Sequence, residues 1–184
     1  MKPYTVNISE NYSQSQLAKG IYLVVTEATR TPPHIGMMVN GNFSSLTVKG
    51  NETNIAMGVL YKNIQLRKIP ALFIRIKDHP VFSYYFLNEL LISCVTDHKR
   101  VEAEGATCLS PVKVFLKEAY HLNLSSINFL FELMPLLEQN DLVDGIAMFI
   151  NPSENSNKFT LPFYSREEIN FEIEKVRKEF NQHV

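Results

Sequence analysis

Cysteine is scarce in this chain, with Cys94 and Cys108 the only two among 184 residues. Two thiols cannot form a disulfide framework, and they are too few for a cysteine-ligated zinc. The five histidines include no HxxxH or HExxH pair, so no metal site is expected and no cofactor is called for. Charge of either sign is nearly balanced. The net value is −1 and no Lys/Arg run exceeds two residues, which gives no electrostatic case for nucleic acid or an anionic membrane. No apolar stretch approaches a membrane span, so stable membrane insertion is not expected. The opening MKPYTVNISENYSQSQLAKG has no apolar core after its early lysine, so it does not read as a signal peptide, and a cytoplasmic location is the expectation.

What is present is the composition of a globular domain. Apolar residues make up 45 % and charged residues 20 %, and at this length one domain over 1–184 is expected. Residues 1–19 are polar and read as a lead-in. IYLVVT, HIGMMV, NFSSLTVKG, NIAMGVLY and IPALFIRI read as strands, being β-branched and aromatic runs between turn residues. Asn40-Gly41 between two of them is a hairpin signal, because both turn residues must take positive φ. The character changes after Pro80. Residues 80–97 read as a helix with Pro80 in its first turn, and residues 97–106 form a charged connection. A helix opens near Cys108 and carries Val112, Phe115, Leu116 and Ala119 on one stripe. Ser125 to Glu138 reads as a further helix with Pro135 against its continuation. GIAMFI reads as a short strand and NPSENSN as a loop. A capping box of Ser165 and Glu168 opens a last helix with Ile169, Ile173, Val176 and Phe180 on one face. Strands first and helices after argue an α+β fold.

Cys108 and His34 carry the chemistry. A thiol at a helix start meets the positive end of the helix dipole, which favours thiolate, and an imidazole on a strand is the usual base for such a thiol. Either Thr107 caps the helix and Cys108 takes its first position, or Ser110 caps and Pro111 does. Both readings leave the sulfur near free backbone N–H groups that can serve an oxyanion. A two-residue Asn40-Gly41 loop pairs Val39 with Asn42 and, counting outward, His34 with Thr47, whose hydroxyl would then orient the imidazole; a three-residue loop would put Val48 opposite His34 instead. Ser45 is the diagonal neighbour on the same face. Cys94, among Leu91, Ile92 and Val95, reads as core packing with a raised pKa. The same residues also admit a plainer reading, in which Cys108 is an inert buried thiol and His34 a surface histidine at a strand start. Ser110 reads as a cap, because no adjacent base is visible. His79, His98, His121 and His183 fall in loops, helix ends and the tail.

The order of histidine strand, hairpin, further strands, long helix and cysteine-opened helix resembles the circularly permuted branch of the NlpC-type papain-like enzymes. That branch includes the lecithin:retinol acyltransferase-like proteins. PHIGMMVNG is similar to the family's histidine strand, IPALFIRIKD to the later strand before the helical insert, and TCLSPVKVFLKEAY to the nucleophile helix. The resemblance covers residues 20–122 as a papain-like core, with 123–184 outside it as additional helical and C-terminal elements. It implies a papain-like antiparallel sheet flanked by helices, with Cys108 as nucleophile and His34 as general base. The family's third, polar position falls on Thr47, or on Ser45 if the register slips. The implied function is thiol-dependent hydrolysis or acyl transfer at an amide or ester carbonyl, on a small peptide, amide or lipid ester. The alternative is a papain-like fold with an idle thiol, serving as a binding or interaction module.

Overall fold

The computed structural model describes residues 3–150 and 156–181, with side chains described to residue 179. In chain order the elements are β1 (Thr5–Asn7), α1 (Gln14–Leu17), β2 (Ile21–Thr26), β3 (His34–Val39), β4 (Asn42–Leu46), β5 (Asn51–Ala56) and α2 (Met57–Arg67). They continue as β6 (Ala71–Ile76), α3 (Tyr84–Thr96), α4 (Leu109–Tyr120), α5 (Leu130–Gln139), β7 (Val143–Phe149), β8 (Lys158–Thr160) and α6 (Arg166–Asn181). Six strands form one antiparallel sheet in the order β5-β4-β3-β2-β6-β7, and β1 pairs with β8 in a separate ribbon. The protein is thus a mixed α+β fold built on an antiparallel sheet.

The central strands are buried on both faces, which explains their nearly unbroken apolar sequences. Ile21, Leu23 and Val25 of β2, with Leu72, Ile74 and Ile76 of β6, face a large core shared with α3, α4 and α5. Tyr22, Val24 and Phe73 face a smaller core closed by Leu17 of α1 and Ile64 of α2. Side chains alternate across a strand, so each strand feeds both cores. Burial of this kind contributes about 25 cal/mol per Å² of apolar surface removed from water.

The hairpin turn behaves as its sequence requires. Asn40 has φ 47° and Gly41 φ 81°, and β3 pairs β4 with Val39 opposite Asn42 and Gly36 opposite Ser45. Elsewhere the structure corrects the reading. NIAMGVLY is not one strand: β5 ends at Ala56 and α2 begins at Met57. Met57, Leu60, Tyr61 and Ile64 lie three and four residues apart and all pack on the smaller core, a helical period that runs past the strand-like stretch. The helix after Pro80 starts at Tyr84, because Ser83 caps it by accepting from the Phe86 amide. The helix expected from Ser125 begins at Leu130 and continues through Pro135. The polar lead-in holds β1 and α1. Residues 123–184 are not merely appended to the core, since β7 extends the main sheet beside β6. The loop expected at NPSENSN falls largely outside the described residues, as do His183 and the Phe180 side chain.

Gly36 lies two residues from His34 on β3. A Cβ there would stand 2.5 Å from the Phe43 ring and 2.8 Å from the Ser44 carbonyl oxygen, and the carbonyl belongs to a paired strand that cannot step aside. Gly36→Ala is therefore expected to destabilise the fold by about 1–3 kcal/mol, the usual cost of overpacking. Urea denaturation checks this, and an unchanged midpoint would contradict it.

Candidate active site

The ladder between β3 and β4 ends at Gly36 and Ser45, four pairs from the turn. Beyond that point β4 finds other partners. The Thr47 amide donates to the Gly50 carbonyl, and the Thr47 carbonyl accepts from Val101. The ends of the two strands part, and a cavity of about 500 Å³ opens there. His34 and Ile35 reach it from β3, Thr107 and Cys108 from the start of α4, and Tyr164 from the segment before α6. The structure thus brings Cys108 and His34, 74 positions apart in the chain, to the wall of one cavity.

The start of α4 resolves the two capping alternatives. Thr107 Oγ1 accepts from the Leu109 amide at 3.3 Å, and the Thr107 amide donates to Ser110 Oγ at 2.9 Å. This reciprocal pair makes Thr107 the functional cap, and Cys108 already has helical dihedrals of φ −59° and ψ −23°. Ser110 answers the cap rather than forming it. Val112, Phe115, Leu116 and Ala119 of α4 sit in the large core, which seats the cysteine end of the helix against β3.

The backbone near the Cys108 sulfur, at Ile35, Cys108 and Leu109, favours thiolate. Burial outweighs it and raises the thiol's pKa, so the lowered value expected from the helix start alone is not found. Burial likewise dominates at His34 and lowers its pKa, with Glu27 raising it and Arg30 lowering it. Both groups are neutral at rest near neutral pH. Cys94 is core packing, as expected of its neighbours, and its thiol is pushed up to about 11 by burial.

Thr47 does not orient the imidazole. The hairpin register is the expected one, but β4 has ended before Thr47, whose hydroxyl donates to the Gly50 carbonyl at 2.9 Å and accepts from the Lys49 amide. A hydroxyl that closes its own turn is taken. The partner of His34 is Ser45, the diagonal neighbour, with Nε2 and Oγ 3.2 Å apart. Ser45 is buried, so its hydroxyl has little solvent to turn to. With Nε2 held by Ser45, Nδ1 is the nitrogen left for proton exchange.

Tyr164 lines the same cavity and escaped the sequence reading. Its ring packs edge-on against Phe129 and Phe131, and its hydroxyl accepts weakly from the Leu130 amide at 3.5 Å. Burial first, then proximity to Cys108, raise its pKa. The tyrosine sits just before the Ser165–Glu168 capping box, but no sequence pattern connects it to Cys108. The cavity wall is mainly apolar, with Phe43, Ile55 and Leu60 on the α2 side and Val101, Ile169 and Ile173 on the α6 side. Its charged groups, Glu27, Arg30, Lys49, Glu52, Arg67 and Glu172, are of mixed sign. Among the described residues no group of histidine, cysteine and carboxylate side chains could hold a metal ion, and no helix is long and apolar enough to cross a membrane.

Two outcomes follow from these environments. Iodoacetamide is expected to modify Cys108 before Cys94, slowly at neutral pH and about tenfold faster per pH unit as the thiolate fraction grows. Mass spectrometry of the labelled protein checks this, and earlier modification of Cys94 would contradict it. The folded state resists a proton on His34 that the unfolded chain accepts below its ordinary pKa of 6.5. The contribution is therefore complete above that pH and is lost as pH falls through the lowered folded value. His34→Gln is expected to flatten the stability profile just below pH 6.5, as measured by denaturation at a series of pH values. Comparison of the chain with family models, curated proteins and solved structures finds no match.

Proposed function

We propose that the protein is a thiol-dependent hydrolase or acyltransferase of papain-like design, acting at an amide or ester carbonyl through Cys108 and His34. The observation that carries the reading is one cavity lined by a thiol at a helix start and by an imidazole whose Nε2 is already held by Ser45. Because thiol and imidazole are both neutral at rest, the proton moves as the substrate is attacked. Nδ1 of His34 takes the Cys108 proton while sulfur bonds to the carbonyl carbon and the carbonyl electron pair moves to oxygen. Collapse of that adduct breaks the bond to the leaving oxygen or nitrogen, which takes the proton back from His34 and leaves a thioester. Water, or an acceptor hydroxyl or amine, then attacks the thioester while His34 takes its proton; the carbon–sulfur bond breaks, the acyl product leaves and His34 returns the proton to the Cys108 sulfur. Ser45 keeps the ring turned for this, and the apolar wall suits a substrate with an apolar body.

The neutral resting pair also supports a second reading, in which the thiol is idle and the cavity only binds its ligand. One experiment separates the two. The protein is incubated with p-nitrophenyl esters and acyl amides of graded chain length, and the intact mass is recorded at early times. The enzyme reading expects acyl transfer to Cys108, lost in Cys108→Ala and slowed about a hundredfold or more in His34→Ala, as for loss of a general base. Hydrolysis undiminished in Cys108→Ala would refute it, and binding without any acyl adduct would favour the second reading. Ser45→Ala is expected to slow the reaction by roughly tenfold, the equivalent of one neutral hydrogen bond. Thr47→Val is expected to leave the rate nearly unchanged, because Thr47 serves its own turn.

A further inference from the structure

Two loops deliver the candidate site residues, and one helix touches both. The loop after β2 runs from Glu27 through Pro33 into His34. Within it Arg30 donates through Nη1 to Glu27 at 2.8 Å and through Nη2 to Glu172 of α6 at 2.9 Å. Glu172 is four-fifths buried at its side chain and lines the cavity with Arg30 and His34. The loop before Cys108 meets α6 nearer the start of the helix, at Arg166 and Asn170. Arg166 donates through Nη2 to the Gly105 carbonyl at 2.8 Å, the Glu104 amide donates to Asn170 Oδ1 at 3.3 Å, and Asn170 Nδ2 donates back to the Glu104 carboxylate. Between these polar ties Ile169 and Ile173 are buried, so the same helix face is seated on the cavity wall. The approach to each site residue is thus tied to successive turns of one rigid element.

We propose that α6 is a brace that sets the position of His34 relative to Cys108, with Arg30 as the positioning residue on the histidine side. The assignment rests on the Cys108–His34 reading above. A helix holds its own residues at fixed spacing, so ties to Gly105, Glu104 and Arg30 convert two independent loops into one frame. Arg30 suits the task because its planar fork makes two directed bonds at once, to its own loop and to the helix, which lysine cannot reproduce. Arg30 also carries positive charge close to His34, opposed by Glu27. The other ionisable groups on the cavity wall are Lys49 after β4, Glu52 of β5, Arg67 of α2, Cys108 at the start of α4, Tyr164 before α6 and Glu172 of α6.

The test measures the rate of iodoacetamide labelling at Cys108 in the full chain and the ring titration of His34 by proton NMR. Variants are Arg30→Gln, Arg30→Glu, Glu172→Arg, the swap Arg30→Glu/Glu172→Arg, and His34→Ala, each checked for folding by its melting curve. A partly exposed ion pair is worth little on its own, so Arg30→Gln is expected to slow labelling by about threefold to fivefold, and Arg30→Glu by more. The swap is expected to recover the wild-type rate within about twofold, because it restores the loop-to-helix ion pair with its partners exchanged. Arg30→Gln should also shift the His34 titration upward, since a nearby positive charge is gone. A folded Arg30→Glu that labels at the wild-type rate, or a folded swap that fails to recover, would overturn the brace. If His34→Ala itself labels at the wild-type rate, the Cys108–His34 reading fails. The brace is then judged on the position of the His34 ring, and nuclear Overhauser contacts from that ring left unchanged in a folded Arg30→Glu would refute it.

Discussion

The seating of α4 against β3 is the contact on which the rest of the arrangement depends. It exists because Val112, Phe115, Leu116 and Ala119 form a stripe buried in the large core that the sheet shares with α3 and α5. With that stripe buried, the free amide end of α4 is carried to the end of β3 where β4 has already turned away. The Ile35 backbone lies near the sulfur at this point. A strand end that had kept its partner would have no backbone group to spare and no cavity beside it. The opening is therefore produced by the divergence of two strands, and the helix start fills one side of it.

Burial decides the resting chemistry of the site. The nearby backbone and the helix start favour a negative sulfur, and Glu27 favours a positive imidazole, yet desolvation is the larger effect at both Cys108 and His34. A site that stores a thiolate–imidazolium pair needs enough stabilisation of each charge to offset its removal from water. Here the backbone and Ser45 supply hydrogen bonds, and the carboxylate that acts on the ring, Glu27, is already engaged by Arg30. Ser45 can hold the ring's orientation without contributing charge, so it directs the proton rather than attracting it.

α6 gains a role through the same geometry. Its apolar face is short, with Ile169 and Ile173 buried and Val176 on the cavity wall, and its polar ties reach the two entry loops. These contacts join the C-terminal helix to a loop near the N-terminus and to one in the middle of the chain. The C-terminal third is therefore part of the cavity as well as of the sheet, through Tyr164 and the residues of α6 on one side and β7 on the other.

Much of the architecture was legible because it rests on local rules. The Asn40-Gly41 turn sets the β3–β4 register through positive φ at both positions, the Ser165–Glu168 box starts α6 with mutual hydrogen bonds, and the α4 stripe has the period of a helix. The candidates Cys108 and His34 could be named for the same reason: a helix start and a strand start are visible in sequence. What escaped was decided by partners far along the chain. α2 was hidden because Met57, Val59, Leu60 and Tyr61 make a short apolar run like that of a strand until the period is followed to Ile64, and its stripe has meaning only against the smaller core. Thr47 was placed opposite His34 by correct counting, but counting cannot tell where a strand stops, and Val101 and Gly50 take the Thr47 backbone away from β3. Tyr164 and the Arg30–Glu172 tie have no local signature, since each depends on segments more than 30 residues distant meeting at one cavity. The sequence by itself determined elements whose hydrogen bonds close within a few residues, and tertiary structure decided how they end and what they face, because those hydrogen bonds and desolvation costs are shared with remote parts of the chain.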